Sequence, residues 1–179
     1  VYKRQSSLSE SCKPDVDFLR HIANPVINSF MLTVESGQLN LGVESQEDRK
    51  EITQKLISSL LDLRKGLINA EIKYNFSIYN GNPENIANYI GGAEWRELVE
   101  VTLSEFKDNE AAWKLMRDAV LTILNRLAEK YSSKCPTVAK AAADAIERLP
   151  KEPPKKSLER EEEAQESDQT TKSEAENDS

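Results

Sequence analysis

Few side chains in this sequence could perform acid–base or nucleophilic chemistry together. His21 is the only histidine, so a histidine pair, a Cys-His dyad or a zinc triad would need other residue types. We interpret His21 as a polar residue near a helix end. Gly91-Gly92 lacks the lysine and the preceding strand that a phosphate-binding loop requires. The sequence therefore predicts a non-enzymatic protein without catalytic residues, metal ligands, a cofactor or a small-molecule substrate.

The two cysteines, Cys12 and Cys135, lie far apart in the sequence. They form neither a CxxC motif nor a Cys/His cluster, so we expect neither a zinc site nor a disulfide scaffold. Reduced thiols are typical of proteins in the cytosol or the nucleus. The sequence thus predicts a cytoplasmic location, with the nucleus as the alternative.

Charge is distributed unevenly along the chain, whose net charge is −7. The segment 151–179 contains ten acidic and five basic residues, which leaves the rest of the chain near −2. A body of this charge has no net attraction for phosphate groups, so a nucleic-acid partner is not expected. No window of about 18 apolar residues occurs, and we therefore predict no membrane partner.

Both ends of the chain are predicted to lie outside the folded domain. The first five residues, VYKRQ, resemble a translated sequencing-adapter remnant, so we expect an N-terminally truncated fragment and assign residues 1–14 to a disordered or artefactual N-terminus. A helical domain is predicted over residues 15–149. In residues 150–179 Leu158 is the only large apolar side chain, which predicts a disordered acidic tail that either solvates the domain or binds a partner.

Capping residues and apolar spacing predict helices in the first half of the domain. One helix is expected over residues 15–23, and Asn24-Pro25 supplies a cap and a first-turn proline for another that ends at Glu35. Ser45 is expected to cap a long amphipathic helix with apolar residues at steps of three and four. These residues are Ile52, Leu56, Leu60, Leu63 and Leu67.

The segment 72–78 has two interpretations. Its apolar residues alternate with polar ones, as in a half-buried strand. Ile68, Ile72, Phe76 and Tyr79 also share one helical face, and we favour continuation of the helix to Tyr79 with a strand as the alternative. Asn80-Gly81 is a turn signal in either case.

The second half of the domain is predicted to contain a short helix, a break and three further helices. The short helix begins at Asn82-Pro83 and ends at Gly91-Gly92, where a glycine in the left-handed conformation would turn the chain sharply. The next helix covers residues 93–106, Asn109 caps a long one, and Pro136 begins an Ala-rich one. The long helix carries an apolar stripe, in which we interpret the tryptophan as a core residue: Trp113, Met116, Val120, Ile123, Leu127 and Tyr131.

This order of helices, from Asn80 to Tyr131, resembles the three-helix unit of an armadillo repeat. NPENIANYI resembles the first helix, Leu98-Val99 stands at the spacing of the LV of the second, and DAVLTILNR resembles the third. The resemblance implies an all-α fold: a short α-solenoid of armadillo- or HEAT-like helices, at the C-terminal end of a longer solenoid.

In armadillo repeats an asparagine on the third helix holds an extended peptide, and Asn125 occupies that position. The resemblance therefore implies a protein–protein interaction scaffold that binds an extended peptide or a partner protein. The expected contacts are Trp113, Arg117, Leu121 and Asn125. The alternative is a self-assembling four-helix structural protein similar to the coat proteins of rod-shaped plant viruses, which place a short β segment between helix pairs, as the alternation in 72–78 would allow.

Overall fold

Every regular element of the computed structural model, which describes residues 12–154, is helical. A π-helical segment, Phe18–Ala23, runs directly into α1 (Asn24–Glu35), and α2 (Gln46–Tyr74), α3 (Asn85–Ile90), α4 (Ala93–Ser104), α5 (Glu110–Tyr131) and α6 (Pro136–Arg148) follow. The predicted all-α class is confirmed, whereas the solenoid arrangement stays a prediction. The adapter-like N-terminus and most of the predicted acidic tail lie outside the described residues.

The helix α5 packs against every other helical element of residues 12–154 except α3. It contacts α6 most extensively, and it also contacts α1, α2, α4 and the π-helical segment. The predicted stripe on α5 is buried along its whole length, and Trp113 is only 1% exposed. This burial confirms that Trp113 is a core residue. Asn109 caps α5 as predicted, because its Oδ1 accepts a hydrogen bond from the Ala112 amide at 3.0 Å.

The helices α1 and α2 form an antiparallel hairpin. Ser45 caps α2 as predicted, since its Oγ accepts a hydrogen bond from the Asp48 amide at 3.0 Å. Near the hairpin turn, the Arg49 guanidinium donates to the Leu39 carbonyl at 2.6 Å. The α2 leucines predicted to face inward are fully buried: Leu56, Leu60, Leu63 and Leu67.

The helix α2 ends at Tyr74, so the predicted continuation to Tyr79 is wrong, and the alternative strand is not formed either. Asn75 adopts the left-handed conformation with φ 54°, which an asparagine tolerates at a helix C-terminus. Its carbonyl accepts a hydrogen bond from the Asn82 amide at 2.8 Å. This turn directs Phe76 into the core, where it is 1% exposed.

The break at Gly91-Gly92 separates α3 from α4 as predicted, but the expected left-handed glycine is absent from it. The φ angles of Gly91 and Gly92 are −78° and −97°. A Cβ atom on Gly91 would lie 3.0 Å from the Ala87 carbonyl oxygen, and one on Gly92 would lie 3.0 Å from that of Asn88. Glycine is therefore favoured here because the backbone approaches closely, not because φ is positive.

Cys12 and Cys135 form a disulfide bond, which contradicts the expectation of reduced thiols. The segment before the π-helical turn lies against the connection between α5 and α6, where the Lys13 amide donates to the Lys134 carbonyl at 2.9 Å. Tertiary packing thus brings together two cysteines whose sequence spacing carries no pairing signal. The cytoplasmic prediction rested on reduced thiols, and the structure does not support that basis.

Candidate partner-binding surfaces

The four residues predicted to contact a partner lie along α5, but not all of them reach the surface. Trp113 is in the core. Arg117 is half-buried, and its Nε donates to the Pro150 carbonyl at 2.5 Å. Leu121 is half-buried and Asn125 is exposed. The structure therefore brings Arg117, Leu121 and Asn125 to one accessible side of α5, and their binding of a partner stays a prediction.

A surface that is more apolar than the accessible side of α5 lies on α2, and the sequence analysis did not predict it. Leu61, Ile68 and Ile72 are exposed by 44%, 39% and 74%. Their spacing of seven and four residues places them on one side of the helix, away from the buried leucines. The predicted grouping of Ile68 and Ile72 with Phe76 on one helical face is wrong, because the turn after Tyr74 separates Phe76 from that face. The available signal was that both isoleucines fall outside the stripe that ends at Leu67.

This side of α2, which we call the α2 outer face, has one repeating pattern of side chains. Its residues follow one another at steps of three and four: Lys50, Gln54, Ile57, Leu61, Lys65, Ile68 and Ile72. Ile57 is half-buried, and the others are exposed. Glu47 precedes Lys50 by three residues on the same side, and from Lys50 onward the face combines aliphatic and basic groups.

The α1 helix carries a further exposed apolar residue at the level of this face. Arg64, next to the α2 outer face, donates a hydrogen bond to Asn28 Oδ1 on α1. Leu32 lies one turn beyond Asn28, and Leu61 lies about one turn before Arg64, so the antiparallel helices place Leu32 and Leu61 at the same level. Leu32 is 68% exposed.

A separate groove of about 380 Å³ lies between α2 and α4. Lys73 and Glu94 form an ion pair across it, and the hydrogen bond from Lys73 lowers the pKa of Glu94 below its ordinary value. The same hydrogen bond raises the pKa of Lys73. Tyr89 also lines the groove, and burial raises the pKa of its phenol. The groove therefore holds a mutually neutralised pair and a neutral phenol.

Residues 12–154 contain no group of three or more His, Cys, Asp or Glu side chains positioned to hold a metal ion. None of their helices combines the length and the apolar character needed to cross a membrane.

Comparison with known proteins provides no family for this chain. No protein-family model matches it, and neither a curated protein nor a solved structure is significantly similar to it.

Proposed function

We propose that this chain is a non-enzymatic protein–protein interaction domain and that the α2 outer face is its main binding surface. The observation that supports this most strongly is the exposure of Leu61, Ile68 and Ile72 on one side of a single helix. Fully burying an aliphatic side chain of this size contributes about 1.5–3 kcal/mol. Isolated exposed leucines are common, but a contiguous apolar surface typically marks an interaction site.

The sequence-based site on α5 is a second candidate surface within the same function. Its support is the accessibility of Asn125 and the order of α3, α4 and α5, which follows the predicted armadillo-like unit. Arg117 already donates to the Pro150 carbonyl, which reduces its capacity to hold a peptide. We therefore rank this surface below the α2 outer face, and the armadillo- or HEAT-like solenoid remains part of the proposal.

The alternative of a self-assembling four-helix protein has less support. The β segment that motivated it is absent from the described residues, where 76–80 form turns and irregular backbone. Pairing two α2 outer faces would also bring Lys65 of one copy toward the cations of the other, which repel it. We propose a protein or peptide partner, and neither nucleic acid nor a membrane.

The disulfide bond between Cys12 and Cys135 bears on the predicted cytoplasmic or nuclear location. A cytoplasmic or nuclear location was expected for reduced thiols, whereas the cysteines are bonded. Disulfides are rare in those compartments and common in oxidising ones. The disulfide therefore counts against the predicted location.

A photocrosslinking experiment tests the proposed function and separates the two surfaces. A photoreactive residue is placed at Gln54 on the α2 outer face or at Thr122 on α5, in the full chain inside its source cells. We expect a discrete crosslinked partner from Gln54, and loss of that crosslink in the variant Leu61→Ser, Ile68→Ser, Ile72→Ser. A partner captured only from Thr122 would assign binding to α5, and the absence of a discrete partner from either position would contradict the proposed function.

A further inference from the structure

We infer that the α2 outer face binds an amphipathic helix of a partner protein, whose apolar stripe is flanked by carboxylates. This inference rests on the proposed function and adds the chemistry of the partner. Three properties of the face support it: its cations lack carboxylate partners, its apolar residues follow helical spacing, and neither a second copy nor the acidic tail matches it.

The charge of the α2 outer face is opposite to that of the chain as a whole. The chain carries a net charge of −7, yet this face and its edge present Lys50, Arg64 and Lys65. None of these three cations takes part in an ion pair within residues 12–154. Lys65 lies between the apolar anchors Leu61 and Ile68, so a bound apolar surface would lie beside an unpaired cation.

Asp62 and Glu71, the α2 carboxylates nearest to Lys65 in the sequence, lie off this face. Asp62 lines a groove with Leu98 and Thr102 of α4. Glu71 lies toward the buried Asp17, and burial together with that neighbouring charge raises the pKa of Glu71. Lys50 lines a groove together with Glu35 and Glu47, so the cations of the face that are open to a partner carboxylate are Arg64 and Lys65.

Arg64 is held in a position that suits a carboxylate. Its guanidinium donates to Asn28 Oδ1, which is a neutral acceptor, so the positive charge is oriented without being compensated. Hydrogen bonds between a guanidinium and a carboxylate are about twice as strong as neutral ones. A partner carboxylate beside Asn28 would thus gain from an arginine that is already ordered.

The spacing of the apolar residues favours a helix over an extended peptide. Ile57, Leu61, Ile68 and Ile72 form a straight stripe about 22 Å long on a single helix. Such a stripe, with steps of four, seven and four and Lys65 in the intervening position, matches the stripe of a second helix that lies alongside it. An extended peptide presents side chains with a period of two and would match fewer of these positions.

Two other occupants match the face less well. A second copy of the chain would bring the same cations to the interface, so it would not compensate the charge of Lys65. Residues 155–179 of this chain are acidic, but Leu158 is their only large apolar residue, so they cannot fill the stripe. An acidic amphipathic helix of a partner protein would match both the cations and the apolar spacing of the α2 outer face.

Two synthetic helical peptides of about 21 residues test the inference on the full, disulfide-bonded chain. They share the same leucines at three-four spacing, and one has glutamate at the flanking positions where the other has lysine. We expect fluorescence anisotropy to show at least about tenfold tighter binding of the acidic peptide, with a difference that shrinks as salt is added.

Exposed-residue variants locate the binding surface without disturbing the core. Ile72→Ser and Lys65→Glu should each weaken binding of the acidic peptide at least about threefold. Val101→Ser removes an apolar residue that is 53% exposed on α4, and Lys140→Glu reverses an exposed charge on α6. These two control variants should bind like the wild type.

The other outcomes each have a defined meaning. Equal binding of both peptides, weakened by Ile72→Ser, would overturn the inference about charge and leave the proposed function intact. If neither peptide binds, the inference is overturned, and crosslinking from Gln54 decides the proposed function separately. Binding to phosphatidylserine vesicles that Ile72→Ser abolishes, without peptide binding, would overturn the inference in favour of a membrane surface.

Discussion

Cys12 is bonded to Cys135, and the loop that this bond closes contains most of the helical domain. A separation of 123 residues lies between the two cysteines. Next to the bond, the Tyr131 hydroxyl donates to the Val16 carbonyl at 2.8 Å. The disulfide and this hydrogen bond together hold the segment before the π-helical turn against the end of α5.

We predict that removing the disulfide destabilises the domain substantially. Replacing Cys12 and Cys135 by serine should lower the free energy of unfolding by about 2–5 kcal/mol, because the unfolded chain regains the conformational freedom of a long loop. Guanidinium unfolding of the oxidised wild type, the reduced wild type and the double serine variant measures this difference. The reduced wild type should match the variant. Two titratable thiols in the untreated native protein, or equal unfolding midpoints of all three samples, would contradict the prediction.

Local signals in the sequence predicted much of the fold, because helix caps act over a few residues. The end of α1 at Glu35, the cap at Ser45, the cap at Asn109 and the start of α6 at Pro136 were all predicted correctly. The buried stripe on α5 was predicted for a related reason, since one helical period decides which side chains share a face.

The features that were missed depend on contacts between distant residues. The disulfide requires the N-terminal segment to lie against the α5–α6 connection, which no spacing reveals. The left-handed conformation of Asn75 ended α2 early and separated Phe76 from the face that carries the exposed Ile72. The α2 outer face was therefore not predicted, because the apolar spacing continues past Tyr74 whereas the helix does not.

We predict that Asn109 stabilises the domain through two separate hydrogen bonds. Its Oδ1 caps α5, and its Nδ2 donates to the Leu41 carbonyl at 2.9 Å. Asn109→Ala removes both bonds and should cost about 1–3 kcal/mol. Asn109→Asp keeps the capping oxygen and loses the donor. Urea unfolding should therefore show a smaller decrease in the free energy of unfolding for this variant than for Asn109→Ala. Equal losses in the two variants would show that the cap contributes little.

Two glycine substitutions should have opposite effects on stability. A Cβ atom at Gly66 would lie 3.1 Å from the end of the Leu98 side chain, which can rotate toward the groove, so Gly66→Ala should gain up to about 1 kcal/mol from helix propensity. At Gly81 the Cβ atom would lie 2.6 Å from the Asn75 carbonyl oxygen. That carbonyl is fixed by the Asn82 amide, so Gly81→Ala should cost about 1–3 kcal/mol. Thermal unfolding measures both, and a reversed order of the two midpoints would refute this account.

The ion pair between Lys73 and Glu94 should be visible in the titration of Glu94. The hydrogen bond from Lys73 lowers the pKa of this carboxyl, so Lys73→Met should raise that pKa toward its ordinary value. NMR titration of the Glu94 carboxyl carbon measures the change. Lys114→Met removes a lysine that pairs with Glu110 on α5, and it should leave the titration of Glu94 unchanged.

The same pair should make a small contribution to stability that depends on pH. Because the pKa of Glu94 is lower in the folded than in the unfolded chain, the contribution is fully present above the unfolded pKa and is lost as the pH falls through the folded pKa. The two side chains are exposed by 65% and 45%, so solvent weakens the pair. The stabilities of the wild type and Lys73→Met should therefore converge in acid, and a difference that grew as the pH fell would contradict the assigned role of Lys73.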